Sequence, residues 1–301
     1  MSGREPVLLA GVEMGGTKCV CILASGPDEV VSKRVIPTTT PEATLAGIEQ
    51  VLDEWQQDHG FKALGLACFG PIALHPEAPN YGFITATTKR GWRNTDVAPR
   101  LRRRYDVPIS IDTDVSGAAL AESRWGGARG LSTYAYITVG TGVGAGIIVN
   151  GRPVAGLGHA EAGHMRIPRF PGDDWEGSCL YHGDCVEGLA SGYAVECRTG
   201  ETGASLAPDH PVWPMVAHAI AGLCHNLVMG SVPERIFIGG GVVSKQPHLL
   251  ATIRQMLVES LSGYGEAVLI ASKVDEYVVP PALGDEAGPL GAIALALDAA
   301  S

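Results

Sequence analysis

The chain has 301 residues, a formal net charge of −10, 46% hydrophobic and 18% charged residues. That length is enough for two domains with separate cores, and the composition excludes a disordered chain. Its longest basic run, RLRRR at 100–104, reads as the solvated face and end of a helix rather than a nucleic-acid surface, and no run approaches the ~18 apolar residues of a membrane span.

The segment VLLAGVEMGGTKCVCIL, from residue 7, reads as strand, tight glycine turn at Gly15 and Gly16, and strand. It has no separate apolar stretch followed by a cleavage site, so no signal peptide is expected. Thr40 and Pro41 then open a helix over about 41–58, with Leu45, Ile48, Leu52 and Trp55 on one face. Buried strands are expected at 63–69 and 107–111, followed by a helix over 113–124. The strand–glycine turn–strand pattern recurs at 132–151, STYAYITVGTGVGAGIIVNG. Aligning Gly15 with Gly140 also pairs Ile22 with Ile147 and Gly26 with Gly151, which suggests a duplicated α/β unit. Helices are expected near 189–198, 212–230, 247–262 and 289–300, and a strand at 235–238 runs into a third glycine turn, Gly239–Gly240–Gly241. Alternating strands and helices indicate an α/β chain with mixed sheets, and the domain boundary is expected at 113/114. Residues 1–113 would form one domain, with the C-terminal helix 289–301 packing back on it, and 114–288 the other.

Glycine turns let backbone N–H groups approach an anion that a Cβ would exclude. EMGGTK adds Thr17 and Lys18, and TVGTGVGAG adds Thr138 and Thr141, but neither has the spacing of a Walker A loop. Three such turns point to a nucleotide. Asp112 and Asp114 stand at the exit of a buried strand, where α/β folds place ligands. Asp114 either caps the next helix, a task Thr113 could perform equally, or accepts a proton from an attacking hydroxyl.

Seven cysteines, at 19, 21, 68, 179, 185, 197 and 224, are an odd number and sit mostly in apolar runs, the usage of a reducing compartment such as the cytoplasm. His164, Cys179, His182 and Cys185 follow at intervals of 15, 3 and 3 in a loop poor in apolar residues. This Cys2His2 set suits tetrahedral zinc, which can order such a loop without a core. His159 is an alternative fourth ligand.

Together these segments resemble the ROK family of sugar kinases, and within it the bacterial fructokinases. EMGGTK is similar to the first phosphate motif, with Glu13 where many members carry Asp. TVGTGVGAGIIVNG is similar to the second, and RIFIGGGV to the turn near the adenosine. CFGPI (68–72) and ITATTKRGW (84–92) resemble fructokinase segments, and HAEAGH followed by CLYHGDCVEG resembles the sugar and zinc segments.

The resemblance implies an actin-like (ribonuclease H-like) ATPase fold, two α/β domains around a central cleft, and phosphorylation of a hexose by ATP with Mg2+, Zn2+ being structural. D-fructose is the expected substrate, with mannose or glucose as alternatives, and a non-catalytic sugar sensor as a further one. Asp114 would be the catalytic base. Thr113, Glu161, His164 and Glu187 would contact the sugar, although Thr113 stands where the wider family has Asn. Gly15, Gly16, Thr17, Lys18, Gly140, Thr141, Gly142, Gly239, Gly240 and Gly241 would line the ATP phosphates, and Glu13 or Asp112 would orient Mg2+ through water. His164 would serve both zinc and sugar. The repressors of this family carry an N-terminal helix-turn-helix, for which a motif opening at Glu13 leaves no room. The resemblance also implies a homodimer, with no nucleic-acid or membrane partner.

Overall fold

The computed structural model describes residues 7–301. In chain order the first elements are β1 (Leu9–Met14), β2 (Lys18–Gly26), β3 (Glu29–Pro37), α1 (Pro41–Asp58), β4 (Leu64–Cys68), β5 (Phe83–Ile84), β6 (Thr95–Asp96), α2 (Val97–Arg104), β7 (Ile109–Thr113) and α3 (Asp114–Trp125). Then follow β8 (Tyr134–Val139), β9 (Val143–Val149), β10 (Arg152–Pro153), α4 (Val186–Ala190), α5 (Gly192–Thr199), α6 (Trp213–Ser231), β11 (Ile236–Gly239), α7 (Gly241–Lys245), α8 (Leu249–Leu261), α9 (Ala267–Ser272), α10 (Val274–Tyr277), β12 (Val278–Val279) and α11 (Ala287–Ala300).

Two five-stranded sheets have the orders β3-β2-β1-β4-β7 and β10-β9-β8-β11-β12. In the first, β1 pairs antiparallel with β2 and parallel with β4, which is parallel to β7; in the second, β8 pairs antiparallel with β9 and parallel with β11, which is parallel to β12. The duplication suspected from two glycine hairpins therefore extends to the whole sheet order. β1 and β8 occupy equivalent central positions, each turning through a glycine tip into its antiparallel neighbour.

The described residues divide into two compact units, one of 7–129, 153–159 and 285–301, the other of 130–152 and 160–284. The division after β7 expected at 113/114 is thus displaced: α3 belongs to the first unit. The reason is close packing of backbone against backbone. A Cβ on Gly291 of α11 would lie 2.4 Å from the carbonyl carbon of Gly117 in α3, and one on Gly65 of β4 would lie 1.9 Å from the Ala292 oxygen. Glycine at these positions lets α11 settle on both α3 and the sheet.

Helix α1 spans the expected residues, with the Thr40 hydroxyl accepting the Ala43 N–H at 3.3 Å. Burial of Leu45, Ile48, Leu52 and Trp55 contributes on the order of 1.5–3 kcal/mol each, against about 1 kcal/mol for the cap, so tertiary packing holds this helix. The arginine run ends α2. Arg100 pairs with Glu49 at 2.6 and 2.7 Å, Arg104 with Asp53, and Arg103 with Asp96 at 2.5 Å. The helix expected at 189–198 is two short helices, α4 and α5, because Ser191 leaves helical geometry and caps α5 by accepting the Ala194 N–H. Among the described residues no helix is long and apolar enough to cross a membrane.

Candidate active site

In the first unit the β1–β2 turn closes with the Gly15 N–H donating to the Lys18 oxygen at 3.0 Å. A Cβ on Gly15 would stand 2.9 Å from that oxygen, whereas one on Gly16 would meet nothing. Thr17 and Lys18 are exposed at the tip. Strand β7 runs two residues further than expected, so Asp112 and Thr113 are its last residues and Asp114 opens α3.

The helix-capping question resolves in favour of Thr113. Its hydroxyl accepts the Ser116 N–H at 3.1 Å and lies 2.9 Å from Ser116 Oγ, and the residue is 4% exposed. That hydroxyl is thus engaged within the helix cap. Asp114, relieved of capping, accepts the Val115 N–H at 2.9 Å through Oδ1. Asp112 accepts the Thr113 N–H at 2.6 Å, and burial pushes its carboxyl above the usual range against the pull of these bonds.

Glu13, on β1, is pushed up to about 7, first by burial and then by the negative charge of Asp114, against the pull of Lys18 and Lys33. A Cβ on Gly288, in the first turn of α11, would lie 2.0 Å from Glu13 Oε1. The missing side chain at 288 therefore makes the space that the longer acid occupies.

In the second unit the β8–β9 turn closes one residue tighter, with the Gly140 N–H donating to the Gly142 oxygen at 2.9 Å. Gly240, at φ 89°, packs against the strand entering that turn. A Cβ there would lie 2.5 Å from the Val139 nitrogen, and only glycine fits. Gly239 is likewise closed off by Pro281, 2.8 Å from its notional Cβ, while Gly241 is open.

Glu161, His164, Cys179, His182, Cys185 and Glu187 also lie in the second unit. His164 ends a 3-10 turn, Ala162–His164, which can press against β9 because a Cβ on Gly163 would collide with the Val143 oxygen at 1.8 Å. Residues 179–183 form a tight knuckle, Cys179 and Gly183 exchanging backbone hydrogen bonds at 3.2 and 2.9 Å. Cys185 caps α4, its sulfur 3.5 Å from the Gly188 nitrogen.

The ligating atoms of His164, Cys179, His182 and Cys185 all lie within 4.8 Å of one another. His164 Nδ1 is 3.6 Å from Cys179 Sγ and 3.5 Å from Cys185 Sγ, and His182 Nδ1 is 3.7 Å from Cys179 Sγ. Tetrahedral zinc with bonds of about 2.3 Å to sulfur and 2.0 Å to nitrogen would set such S···N edges at about 3.6 Å. The donor set and spacing therefore fit zinc. Burial pushes the Cys185 thiol up to about 12, so the cation would displace its proton on binding. His159 stands apart from this group: its Nε2 accepts the Ile72 N–H at 2.9 Å.

The other face of the His164 ring meets carboxylates. Nε2 is 4.0 Å from Glu161 Oε2 and 3.9 Å from Glu187 Oε1, and Glu187 Oε2 accepts the Val143 N–H at 3.1 Å. A Cβ on Gly142 would stand 2.6 Å from that same oxygen. One imidazole thus presents one nitrogen to the cysteine sulfurs and the other to two acids.

Sequence reading missed the ion network that also orders this loop. Asp184 receives Arg166 at 2.8 Å and Arg169 at 3.2 Å, and Asp173, with its side chain 3% exposed, pairs with Arg198 and, at 3.4 Å, with Arg169. Arg198 also stacks over Trp175, 5.0 Å from the ring centroid. The available signal was the density of Arg and Asp in RIPRFPGDDW, without apolar periodicity to place it.

A model of the ROK family matches residues 9–299. The chain belongs to the ROK family. It is 40% identical over 290 residues to a fructokinase of Pediococcus pentosaceus, covering 96% of this chain and 98% of that one. It is also 40% identical over 293 residues to a fructokinase of Zymomonas mobilis, covering 96% of each. Among solved structures it resembles a ROK family glucokinase from Streptomyces griseus in complex with glucose and AMPPNP, with a TM-score of 0.76, 24% identity, and coverage of 97% of this chain and 99% of that one. That likeness shows the fold, the actin-like ATPase type with two α/β halves.

Proposed function

We infer that the protein is an ATP-dependent hexose kinase that converts D-fructose to fructose 6-phosphate. The observation that carries the substrate is the near-full-length identity to fructokinases. The chemistry needs no covalent nucleophile on the protein. The fructose 6-oxygen attacks the γ-phosphorus, the new O–P bond forms as the bond to the β–γ bridging oxygen breaks, and ADP leaves.

Asp114 takes the hydroxyl proton as general base. That role is supported by Thr113 having taken over the cap, which relieves Asp114 of that duty at the helix start. Glycine turns at 15–18, 140–142 and 239–241 bind the phosphates through backbone N–H groups, joined by the Lys18 ammonium and the Thr17 and Thr141 hydroxyls. Glu161, His164 Nε2 and Glu187 hold ring hydroxyls, and Glu13 or Asp112 orients hydrated Mg2+.

His164, Cys179, His182 and Cys185 would hold zinc, whose contribution is to fix the loop and the ring orientation of His164. The knuckle closes directly onto α4, which carries Glu187, so the four ligands set where that acid points. A homodimer is proposed on the family's habit, to be checked by mass in solution, and a cytoplasmic location on seven cysteines of which none is in a disulfide.

The test is ADP formation with Mg2+ across fructose, mannose and glucose, with the product's phosphate position read by phosphorus NMR. Fructose should show the highest kcat/KM. A preference for glucose would overturn the substrate assignment.

A further inference from the structure

The two glycine hairpins tie back their carbonyls by different means. In a phosphate-binding turn each peptide offers an N–H that attracts the ligand and a carbonyl that repels it, so the carbonyls must be tied back. In the second hairpin, backbone N–H groups do this. Gly192 donates to the Gly140 oxygen at 2.7 Å, Tyr193 to the Thr141 oxygen at 3.4 Å, and Gly140 to the Gly142 oxygen.

In the first hairpin the Thr38 hydroxyl donates to the Gly15 oxygen at 2.8 Å, the Thr38 N–H to the Thr17 oxygen at 2.9 Å, and the Gly15 N–H to the Lys18 oxygen. The carbonyl of Gly16, at the exposed tip, is held by the Lys89 ammonium. Among the described residues the N–H groups of Gly16 and Thr17 have no protein acceptor. All four carbonyls of the turn are thus engaged, and its two tip N–H groups remain for a ligand.

Lys89 is placed for this by its own surroundings. Its N–H donates to Thr87 Oγ1 at 3.2 Å, and its carbonyl accepts the Trp92 N–H at 3.2 Å. Trp92 is fully buried, stacks edge-on against Phe69 with centroids 5.2 Å apart, and donates Nε1–H to the Thr39 oxygen at 2.9 Å. The segment carrying Lys89 is therefore braced against the same 38–39 stretch that ties back the rest of the turn.

We propose that Lys89 is a positioning residue for phosphoryl transfer, its ammonium holding the Gly16 carbonyl away so that the turn's free N–H groups face the ATP phosphates. This rests on the sugar-kinase reading and gives Lys89 of the 84–92 segment a role at the nucleotide. A charged hydrogen bond at the only tip carbonyl without a backbone or hydroxyl donor is the part of the first hairpin that one substitution can remove.

The experiment compares wild type, K89M and K89R by steady-state kinetics with ATP and fructose varied separately, by titration of Mg2+–ATP without sugar, and by thermal melting. K89M should raise the KM for ATP and its Kd roughly tenfold or more, with the KM for fructose and the melting temperature unchanged. K89R, which keeps the charge and a donor, should recover most of the ATP affinity. Unchanged ATP binding in K89M, a rise confined to the fructose KM, or a lowered melting temperature would each overturn the proposal. A wild type that binds ATP but phosphorylates no hexose would instead defeat the kinase reading, and the titration would still decide the role of Lys89.

Discussion

Replacing Glu13 by glutamine should change how stability responds to pH. Glu13 rises from 4.5 to about 7 through burial and the charge of Asp114. Between those values the folded protein keeps a proton that the unfolded chain has released, so stability falls as pH rises through the window and levels off above it. A rise of that size corresponds to at most about 3 kcal/mol lost between the acid and alkaline ends. The glutamine side chain of Glu13→Gln would be neutral throughout and fill the same space beside Gly288. The difference in unfolding free energy between variant and wild type should therefore move in the variant's favour by up to about 3 kcal/mol from roughly pH 4.5 to pH 8. The assay is urea unfolding of nucleotide-free protein at several pH values, comparing the two proteins at each. Asp112, which burial raises in the same direction, is present in both proteins and cancels in the difference. Parallel stability profiles for the two proteins across this range would refute the reasoning, because a carboxylate that resists ionisation in the fold must leave that slope.

Asp114→Asn should bind both substrates and melt like the wild type while kcat falls roughly 10²–10⁴-fold, whereas Asp112→Asn should cost far less; equal, small effects at both would defeat the general-base assignment. Elemental analysis of purified protein should find about one zinc per chain, and Cys179→Ser with Cys185→Ser should abolish it. Full zinc retention in that double variant would remove these residues from the site. Chelation should stop turnover while leaving most helical signal intact, since each unit has its own hydrophobic core.

What the sequence by itself determined lies in short-range chemistry. The glycine tips, the Thr40 cap and apolar face of α1, and the Cys179, His182, Cys185 knuckle are each set within a few residues, where propensity and spacing act directly. Features built from distant segments were decided only by the tertiary structure. Nothing local shows that Gly117, Gly65 and Gly291 exist to bring α11 against α3 and β4, and so to move α3 into the first unit. The capping choice between Thr113 and Asp114 depended on which side chain faced Ser116, a matter of strand register two residues beyond the expected end of β7. Asp173 with Arg198, Glu13 against Gly288, and Lys89 on the Gly16 carbonyl join distant positions, and each is built on a charged group. An apolar side chain announces its burial by periodicity, but a charged one reveals its partner only when the fold has removed the water between them.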